Sequence, residues 1–350
     1  MEYFRTIEEM QVRRRIREFE DLRGKTVSGD LRKNSVERLF TTTFDTKTTW
    51  PERDKLPPDF SPEKTLEDGK DPGLGIRELH EQGITGKGVR VAIIDQRLLT
   101  DHEEYKDKLV SYTEYGSSSK EPPSMHGPGV ASLLVGEHCG VAPGAELVYA
   151  ATPSGKPFLE YTKALNDIIE HNRKCEPDKK IRAVSCSIGA MKNLGPAFEE
   201  WMDTIIKAKK EGIMVVDIHT EFGGGGAHTD KDNPDSYDNP LFLKNRASYG
   251  DEYKEIIDNY GKRSITVPAD YRTVAGRKGV SEYEYSGEGG ISWTIPYVVG
   301  IFALALQVNP DLRQEEIIGM IYESATVNKK GLKIINPKGI IELARGRVGQ

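Results

Sequence analysis

An alternation of short apolar runs with helical patterns, which begins after Gly73, constrains the fold of this chain more than any other feature. Near-continuous apolar runs predict strands that are covered on both faces, and the longer segments between them predict helices. Strands that alternate with helices in this way form parallel sheets. We therefore predict an α/β domain built as three layers around a doubly wound, mostly parallel sheet. The predicted strands are residues 89–94, 146–150, 183–187, 213–218 and 264–267.

The segments between the predicted strands include one long apolar run, residues 295–308. This run contains Pro296 and Gly300 and is shorter than the roughly 20 residues that a bilayer demands. We therefore predict a buried helix and expect no membrane partner. The predicted helices are residues 127–135, 161–173, 196–210, 293–308 and 314–324.

Residues 1–72 differ from the rest of the chain, because charges of both signs alternate there and apolar residues are few. We expect them to form a charged N-terminal extension and tether, and we expect residues 73–350 to form a separate, larger domain. The sequence leaves open whether the extension is a docking arm, a regulatory cover over a cleft, or an integral part of the larger domain.

Two local predictions apply to this extension. Met10, Ile16 and Phe19 form an apolar stripe that predicts an amphipathic helix over residues 7–22. Residues 51–72 hold several prolines, which are poorly suited to the interior of a helix or strand. This stretch is therefore predicted to run over the surface as a tether.

The charge balance argues against a polyanionic partner. The chain has 49 Lys and Arg residues against 55 Asp and Glu residues, which gives a formal net charge of -6. Proteins that bind duplex nucleic acid present a basic field, and this composition does not supply one. We therefore expect no nucleic-acid partner. The sequence does not indicate an oligomeric state.

Cysteine usage and the first residues predict a cellular location. Cys139, Cys175 and Cys186 are too few and of the wrong parity for a disulfide framework, so we expect reduced thiols. The N-terminal residues are dense in Arg and Glu and lack the uninterrupted apolar stretch of a secretory signal. Together these features predict a cytoplasmic protein.

Three residues carry side chains suited to acyl transfer. Asp95 ends a predicted buried strand, His126 precedes a predicted helix, and Ser292 opens the long apolar helix. Each also has an ordinary explanation: a turn cap for the Asp, a capping or surface imidazole for the His, and an N-cap for the Ser. Taken together they are the carboxylate, imidazole and hydroxyl that nucleophilic acyl transfer requires.

The residues around these three form motifs in a specific order. Five short segments are each similar to a motif of one known family. Residues 91–95 (VAIID) are similar to a strand that ends in DTG, residues 126–131 (HGPGVA) to HGTHVA, and residues 140–143 (GVAP) match a turn of the same sequence. Residues 185–189 (SCSIG) are similar to a strand that ends in MSLG, and residues 290–296 (GISWTIP) to GTSMAxP. With the order acid, histidine, serine, these motifs resemble those of the subtilisin-like serine peptidases over roughly residues 83–344.

The resemblance implies the subtilisin fold and a serine endopeptidase that hydrolyses peptide bonds through an acyl-enzyme. By this resemblance Ser292 is the nucleophile, His126 is the general base and then the general acid, and Asp95 orients the imidazole.

The resemblance also implies how substrate binds. The backbone of Ser187, Ile188 and Gly189 is expected to pair with an extended protein or peptide substrate, as a sheet edge does. No cofactor is required for this chemistry. The Asp-rich residues 230–238 are either a solvated turn cluster or a structural calcium site, and the sequence does not assign calcium anywhere else.

The chain departs from the family pattern near each member of the triad. Gln96 and Arg97 follow Asp95 where the family has Thr-Gly, and Gly129 stands where HGTHVA has its second His. Trp293 replaces the Met that follows the nucleophile. This larger side chain is expected either to pack in the core or to narrow the cleft.

The Asn that the family uses to bind the oxyanion is missing. Counting from Gly212 places Glu221 at its position, and a shift of one residue places Thr220 there. Our hypothesis is that Glu221 stays protonated in a dry cleft and donates a hydrogen bond. The alternative is a solvated loop residue. Losing an oxyanion donor costs about 100- to 1000-fold in rate, which weakens a peptidase without abolishing it.

Two other functions compete with the peptidase interpretation. A pseudoprotease would keep the cleft and bind peptides or a partner protein without cleaving them. A metal hydrolase would use Asp95, Asp101, His102 and His126 as zinc ligands, although the sequence has no helix of the HExxH type to favour it.

Overall fold

The computed structural model describes residues 15–154, 158–187, 195–218, 222–227, 230–238 and 265–348, with the backbone alone for residues 222–227 and 238. Its strands are β1 (Thr43–Asp45), β2 (Arg90–Gln96), β3 (Leu109–Glu114), β4 (Glu146–Thr152), β5 (Ile181–Cys186), β6 (Met214–Asp217), β7 (Phe222–Ala227), β8 (Tyr237–Asp238), β9 (Ile265–Pro268), β10 (Arg272–Ala275), β11 (Tyr283–Ser286), β12 (Thr326–Val327) and β13 (Lys333–Ile334). Its helices are α1 (Val36–Phe40), α2 (Pro62–Gly69), α3 (Ile76–Glu81), α4 (His126–Val135), α5 (Phe158–Lys174), α6 (Pro196–Lys210), α7 (Ile291–Val308), α8 (Gln314–Ser324) and α9 (Pro337–Gly346).

A parallel sheet of five strands, in the order β3-β4-β2-β5-β6, forms the centre of the described chain. Side chains alternate along its central strand, so that Val91 and Ile93 belong to the apolar core on one face, and Ala92 and Ile94 to the core on the other. Helices α4 and α7 contribute to the first core, and α5 and α6 to the second. The predicted three-layer α/β fold is confirmed.

The apolar runs locate most of the strands correctly. Four of the five predicted strands coincide with β2, β4, β5 and β6, and the fifth corresponds to β9 in a second sheet, of order β12-β13-β9-β7-β8. Strand β3 was not predicted. It lies at the edge of the central sheet, and most of its side chains are exposed or half-buried, so it lacks the apolar run on which the prediction depended.

Helix α7 contains the long apolar run. By length and composition alone it could cross a membrane, but 78% of it is buried inside the protein. Most of its side chains from Trp293 onward are fully covered, and it packs against α4 and several strands. This is the buried helix that the sequence predicts.

The predicted helix over residues 7–22 is wrong in its described part, while residues 7–14 lie outside the described residues. Residues 15–22 are not helical, and Phe19 has a left-handed backbone with a φ of 58°. Ile16 and Leu22 are nevertheless fully buried. The apolar residues of this segment therefore contribute to a core, but from an irregular backbone.

The tether predicted over residues 51–72 is also wrong in part, because helix α2 forms there. Pro62 occupies the first turn, where its missing N–H costs nothing, and the Ser61 hydroxyl accepts a hydrogen bond from the backbone N–H of Lys64 at 3.3 Å. Gly69 lies so close to Thr273 of β10 that a side chain there would collide with it. Pro62 therefore starts a packed helix and does not mark a free linker.

The N-terminal segment also supplies a strand. β1 pairs antiparallel with β11, with Phe44 opposite Tyr285, and β11 pairs with β10 to complete a three-stranded sheet. Ile16, Leu22, Phe44 and Tyr285 share one apolar cluster, which we call the N-terminal core. The domain boundary drawn at residue 72 stays a prediction.

Replacement of Phe44 tests the weight of the N-terminal core. Phe44 is fully buried, with its ring centroid 5.2 Å from that of Trp50 and 5.0 Å from that of Tyr285. We expect Phe44→Ala to lower the free energy of unfolding by roughly 3 to 5 kcal/mol, as for other buried aromatic residues, measured by urea denaturation. Leu159→Ala is the control, because Leu159 is 64% exposed and should change stability by less than about 0.5 kcal/mol. Equal effects of the two substitutions would contradict a packed N-terminal core.

Candidate active site

Asp95 lies near the carboxyl end of the central strand β2 and is buried. Its Oδ1 accepts a hydrogen bond from the backbone N–H of Gln96 at 2.7 Å and lies 2.6 Å from Nδ1 of His126. A buried carboxylate without partners would be costly, and these two contacts satisfy it. Because a carboxylate accepts, Nδ1 of His126 carries the proton in this pair.

His126 is the first residue of helix α4. The hydroxyl of Ser124 accepts hydrogen bonds from the backbone N–H groups of His126 and Gly127, at 3.1 and 3.0 Å, and so fixes the start of the helix. The side chain of His126 is 23% exposed, so part of the imidazole remains accessible. The imidazole is therefore neither a helix cap nor a free surface group.

Gly127 explains how the helix approaches the strand so closely. A side chain at this position would collide with the carbonyl oxygen of Gln96 and would lie 2.6 Å from the hydroxyl oxygen of Tyr149. Tyr149 in turn donates a hydrogen bond to the same Gln96 carbonyl at 2.5 Å. Only a residue without Cβ lets the first turn of α4 meet the end of β2, which brings His126 to Asp95.

The surroundings of His126 act on its pKa in opposite directions. Burial is the largest influence and lowers the pKa, but the charge of Asp95 and the hydrogen bond to it together outweigh burial. The net result is a pKa of His126 above its ordinary value. Asp95 therefore raises the pKa of the His126 imidazole against the effect of burial.

Ser292 is the second residue of helix α7 and is half-buried. The turn before it requires Gly289, which has a φ of 67° and lies against the backbone of Ala269. The N-terminus of a helix carries a partial positive charge, which favours a negative charge that develops there. Ser292 therefore stands where an alkoxide or oxyanion would be stabilised.

Two contacts connect the serine turn to the rest of the site. The hydroxyl of Ser187, just after β5, donates a hydrogen bond to the carbonyl oxygen of Ser292 at 2.9 Å. The indole of Trp293 stacks on the imidazole of His126, with ring centroids 5.8 Å apart and an interplanar angle of 27°. Since β2 and β5 are parallel neighbours, Asp95, His126, Ser187 and Ser292 lie around the carboxyl edge of the central sheet.

Other predicted site residues fall outside the described chain. Ile188 and Gly189, expected to continue the substrate edge after Ser187, lie outside it. So do Glu221 and Thr220, the two candidates for the oxyanion position. Their roles stay predictions.

Sequence reasoning missed the residues that support the site. Arg97 pairs with Glu114 through Nε at 3.0 Å and donates from its guanidinium to the carbonyl oxygen of Glu121. Its own carbonyl accepts from the backbone N–H of Ser124 at 3.1 Å. Arg97 thus holds the loop that leads to His126. The departure from Thr-Gly after Asp95 was the available signal.

The four residues of the metal-hydrolase alternative do not assemble. His102 is fully buried, its Nε2 donates to the carbonyl oxygen of Glu282 at 2.9 Å, and its Nδ1 accepts from the backbone N–H of Glu104 at 3.2 Å. Both ring nitrogens are therefore occupied. Within the described ranges, no three His, Cys, Asp or Glu residues are grouped so that they could hold a metal ion.

The Asp-rich residues 230–238 make contacts within the protein. Asp232 accepts from the backbone N–H of Gly75 at 2.8 Å, and Asp235 accepts from the backbone N–H of Lys329 at 3.0 Å and pairs with its ammonium at 2.7 Å. The carboxylates therefore tie this loop to two distant segments. A calcium ion at this loop stays an untested alternative.

Comparison with curated proteins finds peptidases. The chain is 26% identical over 281 residues to furin-like protease 2 of Drosophila melanogaster, covering 70% of this chain and 16% of that protein. It is 27% identical over 280 residues to serine protease AprX of Bacillus subtilis (strain 168), covering 67% and 61%. It is 24% identical over 242 residues to the major intracellular serine protease of the same organism, covering 65% and 71%. The chain thus spans less than two thirds of the first two relatives.

Solved structures share the fold. The prenylagaramide maturation protease PagA aligns with a TM-score of 0.55 at 17% identity, covering 77% of this chain and 98% of that one. The PatG macrocyclase domain aligns with a TM-score of 0.53 at 14% identity, covering 78% and 95%. At these identities the likeness concerns the fold alone. A family model described as the subtilase family matches residues 86–339, most of the chain, and this chain therefore belongs to the subtilase family of serine peptidases.

Proposed function

We propose that this protein is a serine endopeptidase in which Asp95, His126 and Ser292 form the catalytic triad. The observation that carries the proposal is the 2.6 Å contact between Asp95 Oδ1 and His126 Nδ1 at the carboxyl edge of the sheet, beside the helix that Ser292 opens. The family membership of the chain supports the same chemistry.

In the proposed mechanism each of the three residues has a separate role. Because Asp95 holds the proton on Nδ1 of His126, Nε2 is the basic nitrogen and takes the proton of the Ser292 hydroxyl as that oxygen attacks the peptide carbonyl. The imidazolium then protonates the leaving amine, which leaves an acyl-enzyme. In deacylation water takes the place of the amine: His126 accepts a proton from the water as it attacks the acyl carbon, and then returns a proton to the departing Ser292 oxygen, which releases the carboxylic acid product.

The remaining parts of the proposal concern binding. The backbone N–H of Ser292, in the first turn of α7, and the side chain of Glu221 are proposed to bind the oxyanion. Ser187, Ile188 and Gly189 are proposed to pair with an extended protein or peptide chain, and no cofactor takes part. We place the enzyme in the cytoplasm, which is consistent with its similarity to a major intracellular serine protease.

A fluorophosphonate probe tests the nucleophile directly, because it reacts with activated serine hydroxyls. We expect the wild-type protein to be labelled and to cleave unfolded casein, and we expect Ser292→Ala to lose both activities. Ser111→Ala is the control, since Ser111 is exposed on β3 and should be labelled as the wild type is. Folded wild-type protein that binds casein peptides but neither labels nor cleaves would overturn the proposal in favour of a pseudoprotease.

Asp95→Asn tests the acid that orients the base. Removing the charge leaves the burial that lowers the pKa of His126, so we expect this pKa to fall from above about 6.5 to below it. An NMR titration of the imidazole checks this, with His126→Gln to assign the signal. We also expect kcat to fall about 10⁴-fold, as when the equivalent acid of other serine peptidases is replaced.

The sign of the pH dependence follows from the raised pKa of His126. Protonation favours the folded state, so this contribution to stability is complete below about pH 6.5 and is lost as pH rises through the folded-state pKa. Catalysis behaves in the opposite way, because the base must be neutral, and kcat/KM should rise as pH rises through the same pKa.

For the Asp95→Asn prediction, a pKa of His126 that is unchanged in the variant would contradict the proposed roles of Asp95 and His126.

Two substitutions separate the proposed oxyanion role of Glu221 from that of a solvated loop residue. Glu221→Ala removes the donor, so we expect kcat to fall roughly 100- to 1000-fold. Glu221→Gln keeps a donor and should retain activity within about tenfold. Both are measured as kcat on one peptide substrate. Full activity in Glu221→Ala would remove this residue from the mechanism.

A further inference from the structure

We infer that Trp293 and Gly129 act together as one positioning device for His126: the indole occupies a space that the glycine leaves open and holds the plane of the imidazole. This inference rests on the proposed function, in which His126 is the general base. The single hydrogen bond that His126 donates to Asp95 fixes Nδ1 but leaves the ring free to tilt about that contact. A flat surface against the ring face removes this freedom.

The indole supplies that surface. Its ring centroid lies 5.8 Å from that of the imidazole at an interplanar angle of 27°, within the range of offset-stacked aromatic pairs. Trp293 is 4% exposed, and its Nε1 is buried without a hydrogen-bond partner in the described part of the chain. A buried, unpaired N–H costs free energy, so hydrogen bonding to the described residues does not explain the position of this side chain.

Gly129 lies one turn after His126 on the same face of α4. A Cβ at this position would lie 2.8 Å from Cη2 and 3.0 Å from Cζ3 of Trp293, so any side chain there would push the indole away. The backbone of Gly129 is helical, and no left-handed φ requires glycine. Glycine is less favourable than alanine in the interior of a helix, and the close contact with the indole explains why glycine stands at this position.

The helix turn that carries Gly129 is bonded to strand β10. The hydroxyl of Ser132 donates to the carbonyl oxygen of Gly129 at 2.9 Å and accepts from the backbone N–H of Ala275 at 2.9 Å, which ties this turn of α4 to β10. Val274 of β10 also faces the position that a Cβ at Gly129 would occupy, at 3.6 Å. A methyl group at position 129 therefore has little room to withdraw from the indole.

Both positions are among those where the sequence departs from the family motifs, Gly129 at the second His of HGTHVA and Trp293 at the Met of GTSMAxP. The structure makes them the two sides of one contact. Trp293 beside any side chain at position 129 would leave a collision, and Gly129 beside a smaller residue at position 293 would leave a gap. The two departures therefore have to be considered together.

A double-mutant cycle on kcat tests the device, using Gly129→Ala, Trp293→Met and the combined variant. With Trp293 present, the new methyl group displaces the indole, and we expect kcat to fall about 100-fold, as for other misplacements of about 1 Å in an active site, with KM changed less than about threefold. In the Trp293→Met background the methyl group meets no indole, so Gly129→Ala should change kcat less than twofold relative to Trp293→Met alone. Gly319→Ala is the control, because Gly319 is a helical glycine in α8 with open space around it.

NMR separates failure of this inference from failure of the proposed function. The ring current of a stacked indole shifts the carbon-bound protons of the His126 imidazole upfield, whether or not the protein cleaves peptides. We expect this shift in the wild type and in Gly319→Ala, and its loss in Gly129→Ala and Trp293→Met. If Gly129→Ala does not fold, Trp293→Met alone still reports on the shift. Effects on kcat that simply add, or imidazole signals that do not respond to Trp293→Met, would overturn the inference.

Discussion

The close approach of helix α4 to the end of strand β2 is the constraint on which the site depends. Gly127 permits it, since any side chain there would collide with the end of the strand. His126, the first residue of the helix, thereby reaches the buried carboxylate of Asp95 near the end of the strand and donates a hydrogen bond to it. Both side chains extend from regular elements and not from loops, so their relative position is set by helix and strand packing.

The hairpin of β10 and β11 joins the two halves of the site. Its first strand is bonded to α4 through Ser132 and Ala275, and its second strand runs directly into the glycine turn before Ser292. His126 and Ser292 therefore lie on elements joined by the same hairpin, although they are far apart in the sequence. The N-terminal core packs on the outer side of this support through Tyr285.

The central sheet could be predicted from the sequence because its strands are covered on both faces and read as apolar runs. Asp95, His126 and Ser292 could be singled out because residue type and order pointed to the same chemistry. The N-terminal segment was mispredicted, since its apolar residues face a core from an irregular backbone, and Pro62 begins a helix where proline was taken to prevent one. The contact between Gly129 and Trp293 joins residues whose separate patterns carry no information about pairing.

The pairing of β1 with β11 has a consequence for how the molecule is made. Phe44 aligns with Tyr285, so about two thirds of the chain separates the two partners. During synthesis β1 leaves the ribosome long before β11 exists, and such a distant contact pays its loop-closure entropy late. Strand β11, which leads into Ser292, therefore pairs with β1 only after β11 itself has been translated. A nascent chain that ends before this point lacks the finished serine turn.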